Sequence, residues 1–291
     1  MLPFWVSIAL LSALQGTIVA LPGAQARRLL ERLRMPGSQS PLSKLSSRWW
    51  ALIPPASVAL FVLIGGLAAS ASATALTYFA LVGVPFAAAL ALGWLIHGAR
   101  PLAALAVLPL FALAWADRTG LPGQAAAVLL SAISCAGLGA LIAAVTPPRW
   151  LAAGIVAMAV VDVTLVSSEL LQHPNNVLNA TRPAAGLPQL QAALFGSAAM
   201  GYGDLFVAGV LGGLLAVTLG PLRQRYAALL AILLALAFDL LFYVVNELPA
   251  TVPMAMTLLL LALVRHLRAR RAAAETSLAP ARSRVTEGGP A

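Results

Sequence analysis

Nine runs of predominantly apolar residues, most of them close to the length of a bilayer-spanning helix, follow one another through residues 1–264 of this chain. A helix of about 20 residues, rising 1.5 Å per residue, crosses a hydrocarbon core of roughly 30 Å. The runs lie at 1–21, 51–70, 74–97, 101–116, 123–145, 150–171, 195–219, 226–246 and 250–264, cut apart by charges, prolines and polar clusters. Composition agrees, with 61% apolar and 9% charged residues and a mean hydropathy of +0.92, where soluble domains carry about 25% charged residues. The expected fold class is an all-α polytopic membrane protein with about nine transmembrane helices. The short run 101–116 contains Pro101 and Pro109 and is expected to be bent or partly re-entrant.

Lys and Arg accumulate in cytoplasmic loops, so their placement orients the chain. With the N-terminus outside, the cytoplasmic side receives 16 of the 18 basic residues: those of loop 22–50 (Arg27, Arg28, Arg32, Arg34, Lys44, Arg48), Arg100, Arg149, Arg223 and Arg225 in short turns, and those from Arg265 to Arg284. Only Arg118 and Arg182 remain outside. This predicts an N-out, C-in integral membrane protein, in a bacterium one of the plasma membrane. The net charge of +9 reads as a topology determinant that also attracts anionic lipid, not as a nucleic-acid surface. Residues 1–26 end near Ala24-Gln25-Ala26 but lack a basic leader, and the basic stretch follows the apolar run, so a retained first helix is expected. The single cysteine, Cys135, permits no intrachain disulfide. Residues 1–264 form the transmembrane domain, divided into a five-helix part, 1–149, and a four-helix part, 150–264. The remainder, 265–291, reads as a basic, disordered cytoplasmic tail.

Within the second part, Asp162 and Asp204 each sit in an apolar run. A carboxylate in hydrocarbon costs at least a few kcal/mol, so an intramembrane acid marks a functional site by default. Each aspartate lies nine residues from the expected outer end of its run, near Leu171 and Phe195, or about 13 Å deep. Neighbouring helices would bring the carboxyls face to face. Two carboxylates at close range cannot both ionise cheaply, so such a pair shares one proton. That state suits peptide hydrolysis, the ionised member activating water and the protonated member polarising the scissile carbonyl. Around Asp204, Gly201, Ala208 and Gly212 form a stripe of small residues, Gly209 and Gly213 give a GxxxG spacing for close backbone approach, and Gly203 weakens the helix locally.

Gly201-Tyr202-Gly203-Asp204 resembles the GxGD motif of the intramembrane aspartyl proteases, the presenilin and signal peptide peptidase group. The resemblance implies a presenilin-like bundle with Asp162, in the sixth run, as the first catalytic aspartate and Asp204, in the seventh, as the second. Leu248-Pro249-Ala250-Thr251-Val252-Pro253 stands where that family has a Pro-Ala-Leu element at its ninth helix, so Pro249, Ala250 and Thr251 are expected to position substrate with Gly201, Tyr202 and Gly203. The orientation is similar to that of signal peptide peptidases. The chain departs from the family in having Val161 where a Tyr commonly precedes the first aspartate, and Thr251 where the element has Leu. GxGD also occurs in prepilin peptidases, but Phe206 stands where those enzymes commonly have a basic residue, and loop 22–50 has no cysteine cluster.

The expected activity is endopeptidase cleavage of transmembrane segments or signal-peptide remnants, with water as nucleophile and neither metal nor organic cofactor. The partners are a transmembrane peptide or protein as substrate and the lipid bilayer. A third acid, Asp239, keeps a transport reading open, in which Asp162, Asp204 and Asp239 carry protons or cations. In the protease reading Asp239 has a supporting role, and Glu169, seven residues after Asp162 and on the same helical face, lines the same water-filled mouth. His97, His173 and His266 have no metal-ligand spacing. Residues 172–194 are expected to form a flexible outer loop between the two aspartate helices.

Overall fold

Leucine and alanine propensity makes most of the expected runs helical, and hydroxyl side chains within them bond back to the carbonyl four residues earlier, so they need no loop. The structure, a computed structural model, describes residues 2–26, 48–170 and 172–286. Its helices are α1 (Phe4–Ile18), α2 (Ile53–Leu90), α3 (Val107–Ala116), α4 (Leu121–Val145), α5 (Pro148–Ser167), α6 (Gln172–Ala180), α7 (Tyr202–Thr218), α8 (Pro221–Asp239) and α9 (Val252–Thr286). Two short strands, β1 (Ala192–Phe195) and β2 (Ala198–Gly201), form an antiparallel hairpin before α7. Among the described residues, five helices are long and apolar enough to cross a membrane: Ser70–Leu95, Leu121–Val145, Pro148–Ser167, Pro221–Tyr243 and Val252–Arg271. Shorter apolar helices span Phe4–Ile18, Pro101–Ala116 and Tyr202–Thr218. The protein is a mostly helical membrane protein.

Four expectations are corrected in detail. The runs 51–70 and 74–97 are joined in one continuous helix, because the polar cluster expected to separate them is satisfied within it: the Thr74 hydroxyl donates to the Ser70 carbonyl and that of Thr77 to Ala73, each at 2.8 Å. Residues 172–194 are not a plain loop but carry α6, a 3-10 turn at Ala184–Gly186 and the start of β1. Helix α9 continues through most of the expected tail, to Thr286. The run 195–219 is helical only from Tyr202. Run 101–116 opens with a 3-10 helix, Pro101–Ala106, before α3. The basic residues Arg27, Arg28, Arg32, Arg34 and Lys44 lie outside the described residues.

Helices α4 and α7 form the centre, and glycine sets how closely they approach. A Cβ at Gly209 would meet the Cys135 carbonyl, and one at Gly213 would stand 2.5 Å from the Gly139 carbonyl oxygen. Gly139 in turn faces the backbone of Gly209, so the two helices touch main chain to main chain. The GxxxG spacing read in the sequence therefore marks this seam. Gly212, on another face of α7, abuts Val19 and Pro22 beyond the end of α1, where a Cβ would come within 2.6 Å of the Val19 carbonyl oxygen. Buried Gln224 of α8 fixes the same corner, donating to the carbonyls of Val19, Pro22 and Gly212 at 2.9, 2.9 and 3.2 Å. Leu205, Val207, Ala208, Val210 and Leu211 complete the buried surface of α7.

Candidate active site

A hairpin that runs straight into α7 sets the position of Asp204. Gly196 has φ of 60° while Ser197 does not have a positive φ, the pattern of a II′ turn with glycine first. The strands pair in the register Ala192↔Gly201 to Phe195↔Ala198. The hairpin tip docks on the start of α1: the Ser197 N–H donates to the Ser7 hydroxyl at 3.2 Å, and the Ser197 hydroxyl donates to the Leu2 carbonyl at 3.1 Å. Gly201 is still extended, with φ −63° and ψ 146°, and α7 starts immediately after it. Asp204 is consequently the third residue of the helix, where its Oδ2 accepts the Gly201 N–H at 3.1 Å. This corrects the expected position nine residues inside a helix. An acid in the first turn also meets the positive end of the helix dipole.

Asp162 comes from the middle of α5 and is 6% exposed. Its Oδ2 accepts two bonds from a single residue, the Thr251 hydroxyl at 2.6 Å and the Thr251 N–H at 3.3 Å. The residue that departs from the Pro-Ala-Leu pattern is thus the one that holds the first aspartate. Thr251 is fully buried and lies in the non-helical stretch before α9, where Pro249 accepts the Val252 N–H at 3.1 Å.

Asp162 and Asp204 line one cavity of about 950 Å³. Gly201, Tyr202, Gly203 and Ala250 share its wall; Asp239 does too, accepting the Ser12 hydroxyl at 3.1 Å on Oδ1 while its buried Oδ2 has no hydrogen-bond partner. Tyr202 anchors the motif to α4: the Ser134 hydroxyl donates to the Ser131 carbonyl at 2.7 Å, which leaves the Tyr202 phenol as donor to Ser134 at 2.8 Å. Glu169 is not brought in. It lies past the end of α5, exposed, with a left-handed φ of 60°, because the helix stops at Ser167 and breaks the expected periodicity. Among the described residues no three His, Cys, Asp or Glu side chains are grouped to hold a metal ion.

Sequence reasoning missed Gln15. It is 1% exposed, lines the cavity, and its Nε2 donates to the carbonyls of Asp204 at 3.1 Å and Ala250 at 2.9 Å. The signal was present, since Ser12 and Gln15 are polar residues three apart in an apolar run and so share a helix face. Comparison of the chain with protein-family models, with curated proteins and with solved structures gives no match.

Proposed function

We propose that the protein is an intramembrane aspartyl endopeptidase that hydrolyses peptide bonds within transmembrane segments or signal-peptide remnants. The observation that carries this reading is the presence of Asp162 and Asp204, from different helices and each held by backbone N–H donors, on the wall of one cavity large enough for an extended peptide. The ionised aspartate takes a proton from water as the water oxygen attacks the scissile carbonyl carbon. The protonated aspartate transfers its proton to the carbonyl oxygen, giving a tetrahedral diol. Collapse breaks the C–N bond as the proton taken from water goes to the departing amine and one diol hydroxyl returns its proton to the other aspartate, which leaves a carboxylic acid product and the pair with its single proton. Substrate has to be locally unwound, because helical peptide bonds are internally bonded and shielded. A membrane setting with the C-terminus cytoplasmic belongs to the same proposal and rests on the basic residues from Arg265 onward.

The test is cleavage of a panel of transmembrane peptides by purified protein in lipid, comparing wild type with Asp162→Asn, Asp204→Asn and Asp239→Asn. The free oxygen of Asp239 on the cavity wall favours one second reading, cation- or proton-coupled transport through three carboxylates. The two readings differ at this residue. Asp239→Asn is expected to keep cleavage within about threefold of wild type, because Asn can still accept the Ser12 bond and such neutral exchanges away from the reacting atoms have small effects. Loss of a pH-driven uptake signal in all three variants, with no cleavage by wild type, would establish transport instead.

Thr251 gives a sharper prediction. Thr251→Val removes the hydroxyl donor and keeps the shape, so cleavage is expected to fall roughly 10- to 100-fold, the worth of a bond to a charged group. Thr251→Ser restores the donor and is expected to recover most of the rate in the same peptide assay.

A further inference from the structure

A chain of hydrogen bonds joins the segments that carry the two aspartates through the first helix. The Ala250–Thr251 peptide group is bound at both faces of its amide: its carbonyl accepts Gln15 Nε2 at 2.9 Å, and its N–H donates to Asp162 Oδ2 at 3.3 Å. The second Nε2 hydrogen of Gln15 reaches the carbonyl of Asp204 itself at 3.1 Å. Read in order, the path is Asp204 backbone, Gln15 carboxamide, Ala250–Thr251 peptide, Asp162 carboxylate. Both the carboxamide and the peptide are rigid planes, so the path has few soft torsions. Bonds in such a chain also polarise one another in a site of low dielectric.

We propose that Gln15 is a positioning residue for the aspartate pair, setting the separation of Asp162 from Asp204 and leaving substrate affinity to the rest of the cavity. This rests on the protease reading. Three features distinguish the role from simple helix registry. Gln15 is buried and lines the same cavity as both acids. Both of its donor hydrogens go to the two segments that carry the site, and neither goes to α8, the helix against which Gly16 packs at Ile232. Registry of α1 is already supplied elsewhere, by Ser7 and Leu2 at the hairpin tip and by the Gln224 bonds beyond its C-terminal end. Among uncharged side chains only an amide supplies the two diverging donors on one atom that these bonds use. A carboxylate offers none, and Met of the same length offers none.

The experiment is steady-state cleavage of a transmembrane peptide in lipid by wild type, Gln15→Met, Thr251→Val, the double variant, and Gln224→Met as a control that loosens the far end of α1 outside the cavity. Gln15→Met is expected to lower kcat roughly 10- to 100-fold with KM unchanged, and to weaken by the same factor a peptide carrying a hydroxyethyl core that mimics the tetrahedral diol. The double variant is expected to be less than additive, since the Thr251 hydroxyl holds the same Asp162 oxygen on which the path through Gln15 ends. A fully additive double variant, an unchanged kcat in Gln15→Met, or an equal loss in Gln224→Met would overturn the positioning role while leaving the protease intact. Wild type that neither cleaves the panel nor binds the hydroxyethyl peptide would overturn both. Should Gln15→Met not fold, Gln15→Asn, which keeps the donors but shortens their reach by one methylene, is judged by the same criteria.

Discussion

Asp204→Asn and Asp162→Asn are each expected to reduce cleavage of transmembrane peptides by roughly 10³-fold or more, the loss that follows when a general acid or base is removed from the reacting atoms. The two roles need one carboxylate that can take a proton and one carboxylic acid that can give a hydrogen bond, and a carboxamide cannot move between those states. The structure makes Asn a clean substitution at both positions. At 204 the amide oxygen can still accept the Gly201 N–H, so the helix start is preserved, and at 162 it can still accept from Thr251. A loss of rate with unchanged thermal stability therefore reports chemistry and not folding. Retained cleavage in either variant would remove that residue from the pair. The measurement is the rate of product appearance by mass spectrometry, with melting temperature recorded on the same preparations.

The second large effect concerns the α4–α7 seam. Any side chain at Gly209 meets the Cys135 carbonyl, and neither backbone can yield without moving a whole helix. Gly209→Val is expected to destabilise the protein by about 3 kcal/mol or more, at the upper end of overpacking costs. It would appear as a lowered melting temperature in detergent or as loss of monodisperse protein. Gly83→Ala is the matched control: its Cβ would meet only the Phe79 ring, at 3.8 Å, and helix propensity then favours alanine by about 1 kcal/mol. Because α7 begins with the Asp204 turn, a milder substitution at the seam, Gly213→Ala, would also displace the acid and couple stability to activity.

Much of this molecule was legible before any coordinates. The membrane class followed from composition and run length, which depend on local hydrophobicity alone. The aspartates drew attention because a charge in an apolar run is costly wherever it ends up. The glycines at 209 and 213 were readable as a close-contact face, since their spacing is a property of one helix. Other features failed for identifiable reasons. Residues 192–201 are as apolar as a helix, and periodicity cannot separate a short strand pair from a helical extension; Gly196-Ser197 was the one available turn signal. The stretch between runs 51–70 and 74–97 was read as a break because polar side chains usually mark loops, whereas here the Thr74 hydroxyl bonds back across it to Ser70 on the same helix.

The sequence alone determined that the chain belongs in a bilayer, that most of it is helical, and which acids carry the cost of burial there, because each of these is fixed by residues close together in the chain. Tertiary structure alone decided that Asp204 starts a helix, that Thr251 holds Asp162, that Glu169 is left outside, and that Gln15, 189 residues away from Asp204 in the chain, joins the two halves of the site. Hydrogen bonds across such separations depend on which helix faces turn toward one another. That is settled by the packing of all the helices together, above all at the glycine seam of α4 and α7, and by no local property of the sequence.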